Sequence, residues 1–227
     1  MNIIITRPKE DGAALAEKLR KLGHMPVLIE LITIVPRHDV VIPQRRYQVI
    51  CLTSANGVRA LSTINGLEKI PVIAVGEHSL AAAQKAGFEN AFAKGGDVDG
   101  LCAYVKSAFI PHSGPLLYIS GSETSGDLEG KLKAAGFVVD RIITYDAVPA
   151  KLAGHEKDVS KADCVLLYSP RSAKIWAHEI ESLGLAETAS QINHLCLSAS
   201  VAAALPQSWT KTTAPNPTEK DIIALLD

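Results

Sequence analysis

The chain has 227 residues, enough for one large domain or for two domains of about 110 residues each. Hydrophobic residues make up 47% of it and charged residues 21%, so a normal core can form and disorder is not expected. The formal net charge of -1 gives no support for a surface that binds nucleic acids or acidic membranes. We therefore expect any anionic ligand to be held by local dipoles and a few side chains.

The four cysteines lie in apolar segments and lack the CxxC spacing of metal and redox motifs. We expect them to be buried, reduced thiols of a cytoplasmic protein. The first residues run directly into an apolar, strand-like segment without the pattern of a signal peptide. No apolar run approaches the roughly 20 residues that span a bilayer. The sequence therefore predicts a cytoplasmic protein with no membrane or nucleic-acid partner.

Short β-branched runs alternate with helical Ala/Leu/Lys patterns along the chain. The runs predict strands, in chain order, at Asn2–Thr6, Val27–Ile32, Gln48–Leu52, Val72–Val75, Leu116–Ser120, Val138–Tyr145, Cys164–Tyr168 and His194–Leu197, with weaker strands at Asn90–Ala93 and Lys211–Thr213. The intervening segments predict helices at Asp11–Leu22, Asn56–Ile64, His78–Ala86, Asp99–Phe109, Asp127–Ala135, Arg171–Leu183, Ser200–Leu205 and Thr218–Leu226. This alternation is typical of an α/β fold with parallel sheets covered on both faces.

Two kinds of segment repeat within the sequence. Residues 2–36 and 116–149 each read as strand, polar loop, helix and a long strand that runs to a proline. Residues 48–61 and 164–176 form a second similar pair. We therefore expect two similar α/β domains of about equal size, although the repeats leave open which halves pair.

Two polar segments punctuated by proline, Thr33–Arg46 and Asp146–Ser160, each follow a long strand. They predict two crossings between the domains. Two crossings permit a discontinuous domain in which the first 34 residues join the last third of the chain. A tandem split near Ser113 needs only one crossing, and it remains the alternative at this point.

Polar residues and glycines stand where predicted strands are followed by helices. Ligands of open α/β sheets bind beyond the carboxyl ends of the strands, near helix N-termini whose free N–H groups attract phosphate or carboxylate. One such junction is more often only a helix cap, but five of similar character favour a site for a polyanion. The residues at these junctions are Thr6, Arg7, Thr53, Ser54, Asn56, Gly76, Ser79, Gly121 and Ser169.

Several motifs of other enzyme classes are absent from the sequence. No GxGxxG follows a strand, no GxxxxGK[ST] or GxSxG occurs, and the seven histidines lack metal-ligand spacing. We therefore expect neither a nucleotide cofactor nor a metal. The acidic cluster of a phosphorelay receiver is missing as well.

The tyrosines divide into two groups by position. Tyr104 and Tyr118 are predicted to be core residues, whereas Tyr145 ends an apolar strand just before a predicted crossing and Tyr168 precedes a helix cap. Packing is the commoner role of a single tyrosine. A phenol in a cleft can nevertheless donate a hydrogen bond or act as a general acid.

Five short motifs follow one another along the chain. They are TRP (Thr6–Pro8), TSANGV (Thr53–Val58), AVG (Ala74–Gly76) with Ser79, TYDAVP (Thr144–Pro149) and YSPRSA (Tyr168–Ala173). In order and spacing they resemble the uroporphyrinogen-III synthase family. The resemblance covers essentially the whole chain, and TSANGV is its most specific motif.

The resemblance implies a cofactor-free enzyme of tetrapyrrole biosynthesis, which converts linear hydroxymethylbilane into uroporphyrinogen III with loss of water and inversion of the last pyrrole ring. It implies two flavodoxin-like α/β domains, 1–34 with 155–227 and 38–146, joined by a two-stranded connector at 34–38 and 146–155. The active site is expected in the cleft. The implied partners are the substrate and the preceding hydroxymethylbilane synthase, and we expect a monomer because no dimerisation signal is evident.

The resemblance also implies roles for individual residues. Tyr145 matches the family's tyrosine that assists departure of the substrate hydroxyl. Positions that match contacts to substrate carboxylates are Thr53, Ser54, Ser79, Ser169 and Ser200.

The chain departs from the family pattern at three junctions. Ser198 replaces a glycine of the last turn, the junction around Gly121 lacks the arginines often found there, and Arg171-Ser172 stands where a glycine usually follows Ser-Pro. These departures argue against the family's substrate contacts at Ser200 and around Gly121. A paralogue with weakened catalytic activity is therefore one alternative. A non-catalytic two-domain module that closes on a small polycarboxylate is the other alternative.

Overall fold

The structure, a computed structural model, describes residues 1–61 and 63–226. The chain divides into two compact units, one of Met1–Thr33 with Val148–Asp227 and the other of Ile34–Ala147. We call them unit 1 and unit 2. The assignment of 34–38 and 146–155 as a separate connector stays a prediction.

The strands are β1 (Asn2–Ile5), β2 (Met25–Leu28), β3 (Ile32–Pro36), β4 (Val49–Leu52), β5 (Val72–Ala74), β6 (Ala91–Ala93), β7 (Leu116–Gly121), β8 (Val139–Pro149), β9 (Cys164–Leu167), β10 (Asn193–Cys196) and β11 (Lys211–Thr213). The α-helices are α1 (Lys9–Lys21), α2 (Ala55–Arg59), α3 (Glu77–Ala86), α4 (Val98–Ala108), α5 (Leu128–Ala134), α6 (Glu156–Lys161), α7 (Pro170–Ser182), α8 (Ala186–Ser190), α9 (Ala199–Ala202) and α10 (Glu219–Ile223). Short 3-10 turns cover Pro111–Ser113 and Ala224–Leu226.

Unit 1 contains a five-stranded parallel sheet in the order β11-β10-β9-β1-β2. Successive side chains of a strand point to opposite faces, and both faces are apolar here. In β1, Ile3 and Ile5 belong to a core cluster with Leu15 of α1. Ile4, between them, belongs to the cluster around Trp176 of α7. This two-sided burial explains why the strands read as continuous apolar runs.

Unit 2 contains a six-stranded sheet in the order β3-β8-β7-β4-β5-β6. The neighbours from β8 to β6 are all parallel. In β4, Val49 and Cys51 belong to one core cluster, whereas Ile50 and Leu52 belong to another. The predicted fold of parallel sheets covered on both faces is therefore confirmed.

The prediction of one strand at Val27–Ile32 is wrong in its bounds, because the segment contains parts of two strands. The structure ends β2 at Leu28 and begins β3, which pairs in the other sheet, at Ile32. Ile29 and Leu31 between them are buried, and the single Glu30 is the one polar residue where the chain changes sheets. Apolar residues indicate that a segment is buried, but they do not indicate which strand it pairs with.

Other predicted boundaries also differ from the structure. Strand β8 continues to Pro149, and the short polar helices α6 and α8 were not predicted. Helix α2 ends at Arg59, so the predicted helix Asn56–Ile64 is too long, and it includes Ser62, which lies outside the described residues.

The four cysteines are free and buried, as predicted. No helix within the part of the chain that the structure describes combines the length and apolar character needed to cross a bilayer.

Candidate active site

Each sheet has a point at which the strand order reverses. In unit 1, β2 lies on one side of β1, and β9, β10 and β11 lie on the other, so the order reverses between β1 and β9. In unit 2, β5 and β6 lie on one side of β4, and β7 and β8 lie on the other, so the order reverses between β4 and β7. Open α/β sheets bind ligands outside the carboxyl ends of their strands at such points. The residues that follow these four strands are therefore the candidates.

The turn after β4 begins with Thr53 and Ser54. Ser54 has an extended backbone and caps α2, because its Oγ accepts a 3.2 Å hydrogen bond from the N–H of Asn56. The Asn56 side chain in turn accepts a 3.2 Å hydrogen bond from Arg59. The Thr53 hydroxyl bonds at 3.0 Å to the phenol of Tyr118 in β7. Thr53 is thus hydrogen-bonded to the neighbouring strand β7, whereas Ser54 caps helix α2.

Tyr118 is a functional candidate that the sequence presented only as a core residue. It is 1% exposed, yet its hydroxyl reaches Thr53 at the carboxyl end of the sheet. Burial raises the pKa of Tyr118, against the lowering effects of the Thr53 hydrogen bond and the Arg141 charge. The phenol is therefore protonated at neutral pH and can donate to Thr53 Oγ1. That leaves the Thr53 proton available for an acceptor on a ligand.

Gly121 ends β7 directly beside the ring of Tyr145. The strand register shifts between Ser120 and Gly121, and Gly121 then pairs with Tyr145 of β8. A Cβ at Gly121 would lie 2.6 Å from Cζ and 3.0 Å from the hydroxyl oxygen of Tyr145. Only glycine leaves room for the phenol here. The structure thus brings together two residues that the sequence proposed separately.

The backbone on both sides of Tyr145 is anchored. Its carbonyl accepts a 3.0 Å hydrogen bond from the N–H of Ser122. Asp146, the next residue, accepts two 2.8 Å hydrogen bonds from Arg37. These bonds, followed by one from the Ser122 side chain, lower the pKa of Asp146 to about 2. Asp146 is therefore ionised at neutral pH, and the chain that carries Tyr145 is held from both sides.

Gly76 and Ser79 lie at the start of α3, after β5. Gly76 is the N-cap residue in an extended conformation, and nothing lies within 4 Å of the position where a Cβ would stand. Ser79 is buried, with 5% of its surface exposed, on the first turn of the helix. The free N–H groups of this ten-residue helix are the feature of the junction best suited to an anion.

The junction after β1 carries Thr6 and Arg7. The hydroxyl of Thr6 is buried and donates a 2.7 Å hydrogen bond to the carbonyl of Leu166, so it joins β1 to β9. The Arg7 guanidinium lies 2.7 Å from Glu219 and 3.3 Å from Asp11. Both contacts offset its charge. Arg7 therefore contributes less free positive charge than the sequence indicates.

Tyr168 and Ser169 follow β9. The Arg7 guanidinium lies over the Tyr168 ring, 4.8 Å from its centroid. The buried Tyr168 hydroxyl has no hydrogen-bond partner among the described residues, and burial raises its pKa, with the Arg7 charge acting in the opposite direction. Ser169 forms a capping box with Ser172, in which each side chain accepts a hydrogen bond from the backbone N–H of the other.

Ser200 lies in the short helix α9 after β10. It is exposed, and its hydroxyl is 2.9 Å from that of Ser198, the N-cap residue. The two hydroxyls bond to each other. The reversal point lies between β1 and β9, and β10, which precedes Ser200, is on the other side of β9. Ser200 is therefore one strand away from that point.

Within unit 2, the structure places Thr53 directly after β4, Tyr118 and Gly121 in β7, and Tyr145 within β8, and these three strands are adjacent. Within unit 1, it brings Thr6, Arg7 and Ser169 to the ends of β1 and β9, and Ser200 lies farther along the edge.

A cavity of about 570 Å³ lies elsewhere in unit 2, between the segment that precedes β4 and the α2–β5 connection. None of the predicted site residues is among its described lining residues. Residues 1–61 and 63–226 contain no group of three or more metal-ligating side chains placed to hold an ion.

Comparison with known proteins identifies a family. The family model for uroporphyrinogen-III synthase HemD matches residues 13–224. A porphyrin biosynthesis protein HemD of Ruminiclostridium josui is 43% identical in a 68-residue alignment, and the match covers 25% of this chain and 12% of that protein. The chain thus matches about an eighth of the length of that relative.

Two solved structures share the fold. Uroporphyrinogen-III synthetase from Helicobacter pylori superposes with a TM-score of 0.71 at 16% identity, over 99% of this chain and 97% of that one. A mutant uroporphyrinogen III synthase from Thermus thermophilus gives a TM-score of 0.57 at 16% identity, over 100% and 96% of the two chains. At these identities the likeness concerns the fold. Because the family model spans nearly the entire sequence, the chain belongs to the uroporphyrinogen-III synthase HemD family.

Proposed function

We propose that this protein cyclises hydroxymethylbilane to uroporphyrinogen III. The observation that carries the proposal is the family match over residues 13–224. The geometry of unit 2 supports it, since a phenol and several hydrogen-bond donors lie where open α/β sheets bind ligands. The reaction removes one water and inverts the terminal pyrrole ring. It is neither an oxidation nor a reduction.

The first step is the departure of the substrate hydroxyl. A proton donated to the hydroxymethyl oxygen lets it leave as water, and the pyrrole nitrogen stabilises the resulting azafulvene cation. The substituted carbon of the terminal ring then attacks this cation and forms a spiro intermediate, which fragments and closes in the inverted order. Loss of a ring proton at the end restores the aromatic pyrrole, so the proton used at the start is returned.

We assign the proton donor as Tyr145. Its phenol stands beside Gly121 at the end of β7, and its backbone is fixed by Ser122. A phenol can act as a general acid in this way. Unassisted closure gives the uninverted isomer, so the second task of the protein is to hold a flexible substrate in the productive conformation.

The carboxylates of the substrate need donors. In unit 2 we assign this role to Thr53, Ser54, Asn56, Gly76 and Ser79, and in unit 1 to Thr6, Arg7, Ser169 and Ser200. The open space at Gly76 and the N-terminus of α3 support a close approach of a carboxylate to backbone N–H groups. At Thr6 and Ser169, whose hydroxyls already bond within the protein, the adjoining backbone is the better donor.

Further details belong to the same proposal. We expect a carbon–oxygen lyase that works without a cofactor, as a monomer in the cytoplasm. Its substrate is expected to come from the preceding hydroxymethylbilane synthase. Hydroxymethylbilane closes spontaneously, and rapid transfer between the two enzymes would therefore favour the inverted product.

The test is incubation with freshly generated hydroxymethylbilane, followed by oxidation and chromatographic separation of the type I and type III porphyrins. The same protein after heat denaturation is the control for spontaneous closure. The proposal predicts type III product well above this control. Recovery of type I alone would leave the non-catalytic binding module as the better description.

A further inference from the structure

Arg141 of β8 binds three consecutive residues at the end of β7. Its Nε donates to the Ser120 hydroxyl at 2.9 Å, and its Nη2 donates to the carbonyls of Gly121 at 2.9 Å and Ser122 at 3.1 Å. The side chain is 24% exposed, and Glu129 lies 3.7 Å from Nη1. The guanidinium is thus partly buried, balanced in charge and engaged with backbone.

These bonds fall where regular strand pairing fails. The register of β7 against β8 shifts between Ser120 and Gly121. At such a bulge, local ladder hydrogen bonds are lost, and backbone carbonyls need other partners. The planar fork of an arginine can satisfy several acceptors at once in a fixed geometry, which the point charge of a lysine cannot. Arg141 therefore holds the bulge in one conformation.

The bulge controls the surroundings of Tyr145. Gly121 faces the Tyr145 ring at a distance that excludes a Cβ, and the Ser122 N–H binds the Tyr145 carbonyl. Arg141 holds the carbonyls of both Gly121 and Ser122. A shift of Gly121 and Ser122 would displace the backbone against which the Tyr145 ring packs.

The same guanidinium also acts on the second phenol. Its central carbon lies 5.8 Å from the centroid of the Tyr118 ring, within the range of a cation–π contact. The Tyr118 hydroxyl in turn bonds to Thr53. One side chain therefore contacts both the bulge between β7 and β8 and the ring of Tyr118, which bonds to Thr53.

We propose that Arg141 is a positioning residue, which fixes both the Tyr145 phenol and the Tyr118–Thr53 pair for catalysis. The proposal rests on the proposed function, but its structural part can be tested without substrate. It assigns Arg141 no contact with the reacting atoms, because Nε and Nη2 bond to the bulge and Nη1 lies near Glu129.

The structural test uses NMR of protein labelled with ¹³C at tyrosine Cζ, since the chain has five tyrosines. Spectra of Tyr118→Phe and Tyr145→Phe assign the two signals. We expect Arg141→Lys to shift both signals, while the other three tyrosine signals stay in place. Unchanged signals for Tyr118 and Tyr145 would overturn the proposal, whatever the activity of the protein.

The kinetic test compares Arg141→Met, Arg141→Lys and Arg141→Ala with the wild type. We expect kcat for type III product to fall about 10- to 100-fold in Arg141→Met, as misplacement of a catalytic group does, with KM changed less than about threefold. Arg141→Lys should be intermediate, and added guanidinium at millimolar concentration should restore part of the activity of Arg141→Ala. If Arg141→Met does not fold, Arg141→Lys and the rescue of Arg141→Ala decide the question.

Arg45→Met is the matched control. Arg45 pairs with Asp140, which precedes Arg141 on the same strand, but it makes no bond to the bulge. Equal loss of kcat in Arg45→Met and Arg141→Met, or no rescue by guanidinium beyond that by methylammonium, would contradict a positioning role. If the wild type itself forms no type III product, the proposed function fails, and the NMR result still decides the structural part.

Discussion

Gly121 and Tyr145 face each other across neighbouring strands, and the space that glycine leaves free is filled by the phenol. A Cβ at residue 121 would lie 2.6 Å from Tyr145 Cζ and 2.8 Å from Cε2, closer than carbon atoms approach without displacement. Gly121 does not have a positive φ angle, so the need for glycine at this position comes from the contact with Tyr145 alone. The need for glycine at position 121 and the position of the Tyr145 phenol therefore have the same structural cause.

The first prediction concerns Gly121→Ala. The methyl group displaces the Tyr145 ring, and we expect kcat/KM for type III product to fall about 100-fold, as a displacement of about 1 Å does in other enzymes. Steady-state kinetics measure the effect, and circular dichroism checks that the fold persists. Gly126→Ala, in the loop that follows β7, is the control, since its methyl would meet the Val98 side chain, with Cγ1 at 3.1 Å and Cβ at 3.2 Å, and not Tyr145. Equal activity of Gly121→Ala and wild type would show that the phenol does not need this place.

The second prediction concerns the hydroxyl of Tyr145. Tyr145→Phe keeps the ring packing and removes the donor, so we expect an unchanged fold and a loss of about 10²- to 10⁴-fold in kcat, the usual contribution of a general acid. Pre-formed substrate and rapid quenching separate the enzymatic rate from spontaneous closure. Full turnover by this variant would remove Tyr145 from the mechanism.

The third prediction separates Thr53 from Ser54. Thr53→Val removes the hydroxyl bound to Tyr118, and we expect KM to rise about tenfold. Because the buried phenol loses this partner, we also expect the free energy of unfolding to fall by about 1 to 3 kcal/mol. Ser54→Ala removes the cap of α2 and is expected to lower the free energy of unfolding by about 1 kcal/mol. Kinetics and urea denaturation of both variants measure the two effects. Identical behaviour of the pair in both measurements would contradict this division.

The fourth prediction concerns His194 in the core of unit 1. Its Nε2 accepts a 3.1 Å hydrogen bond from Trp176, Nδ1 donates to the Thr210 carbonyl at 3.0 Å, and burial lowers its pKa to about 4. The unfolded chain binds this proton near pH 6.5, so between pH 6.5 and 4 it holds more protons than the folded state. Stability therefore falls as the pH is lowered through this window, by up to about 3 kcal/mol.

Urea denaturation at several pH values measures this slope. We expect the free energy of unfolding of His194→Gln to depend less steeply on pH than that of the wild type. His112→Gln, changed at an exposed position, should show the same pH dependence as the wild type. A wild-type slope no steeper than that of His194→Gln would contradict the assignment.

The sequence predicts well what depends on neighbouring residues. Continuous burial of β4 and β9 makes their apolar runs readable, and the turn residues Thr53-Ser54 and Ser169-Pro170 mark where the following helices begin. These local patterns were enough to predict both sheets and most junctions. The hydrogen bonds within the junctions confirm caps at Ser54 and Ser169, while their contacts with substrate stay predictions.

The sequence could not show what depends on pairing between distant segments. Tyr118 reads as a core residue because its neighbours are apolar, and its link to Thr53 appears only when β4 and β7 are adjacent. Arg141 reads as an ordinary charged residue in an apolar strand, since the bulge that it binds exists only in the β7–β8 pair. Likewise, the change of sheet between β2 and β3 is marked in the sequence only by the single Glu30 within an apolar run.

The proposed activity is tested by the initial rate of type III formation from fresh hydroxymethylbilane at several protein concentrations. The proposed function predicts a rate proportional to the amount of wild-type protein, with type III as the dominant product. The type I isomer alone, formed at every protein concentration at the rate found in buffer, would contradict it.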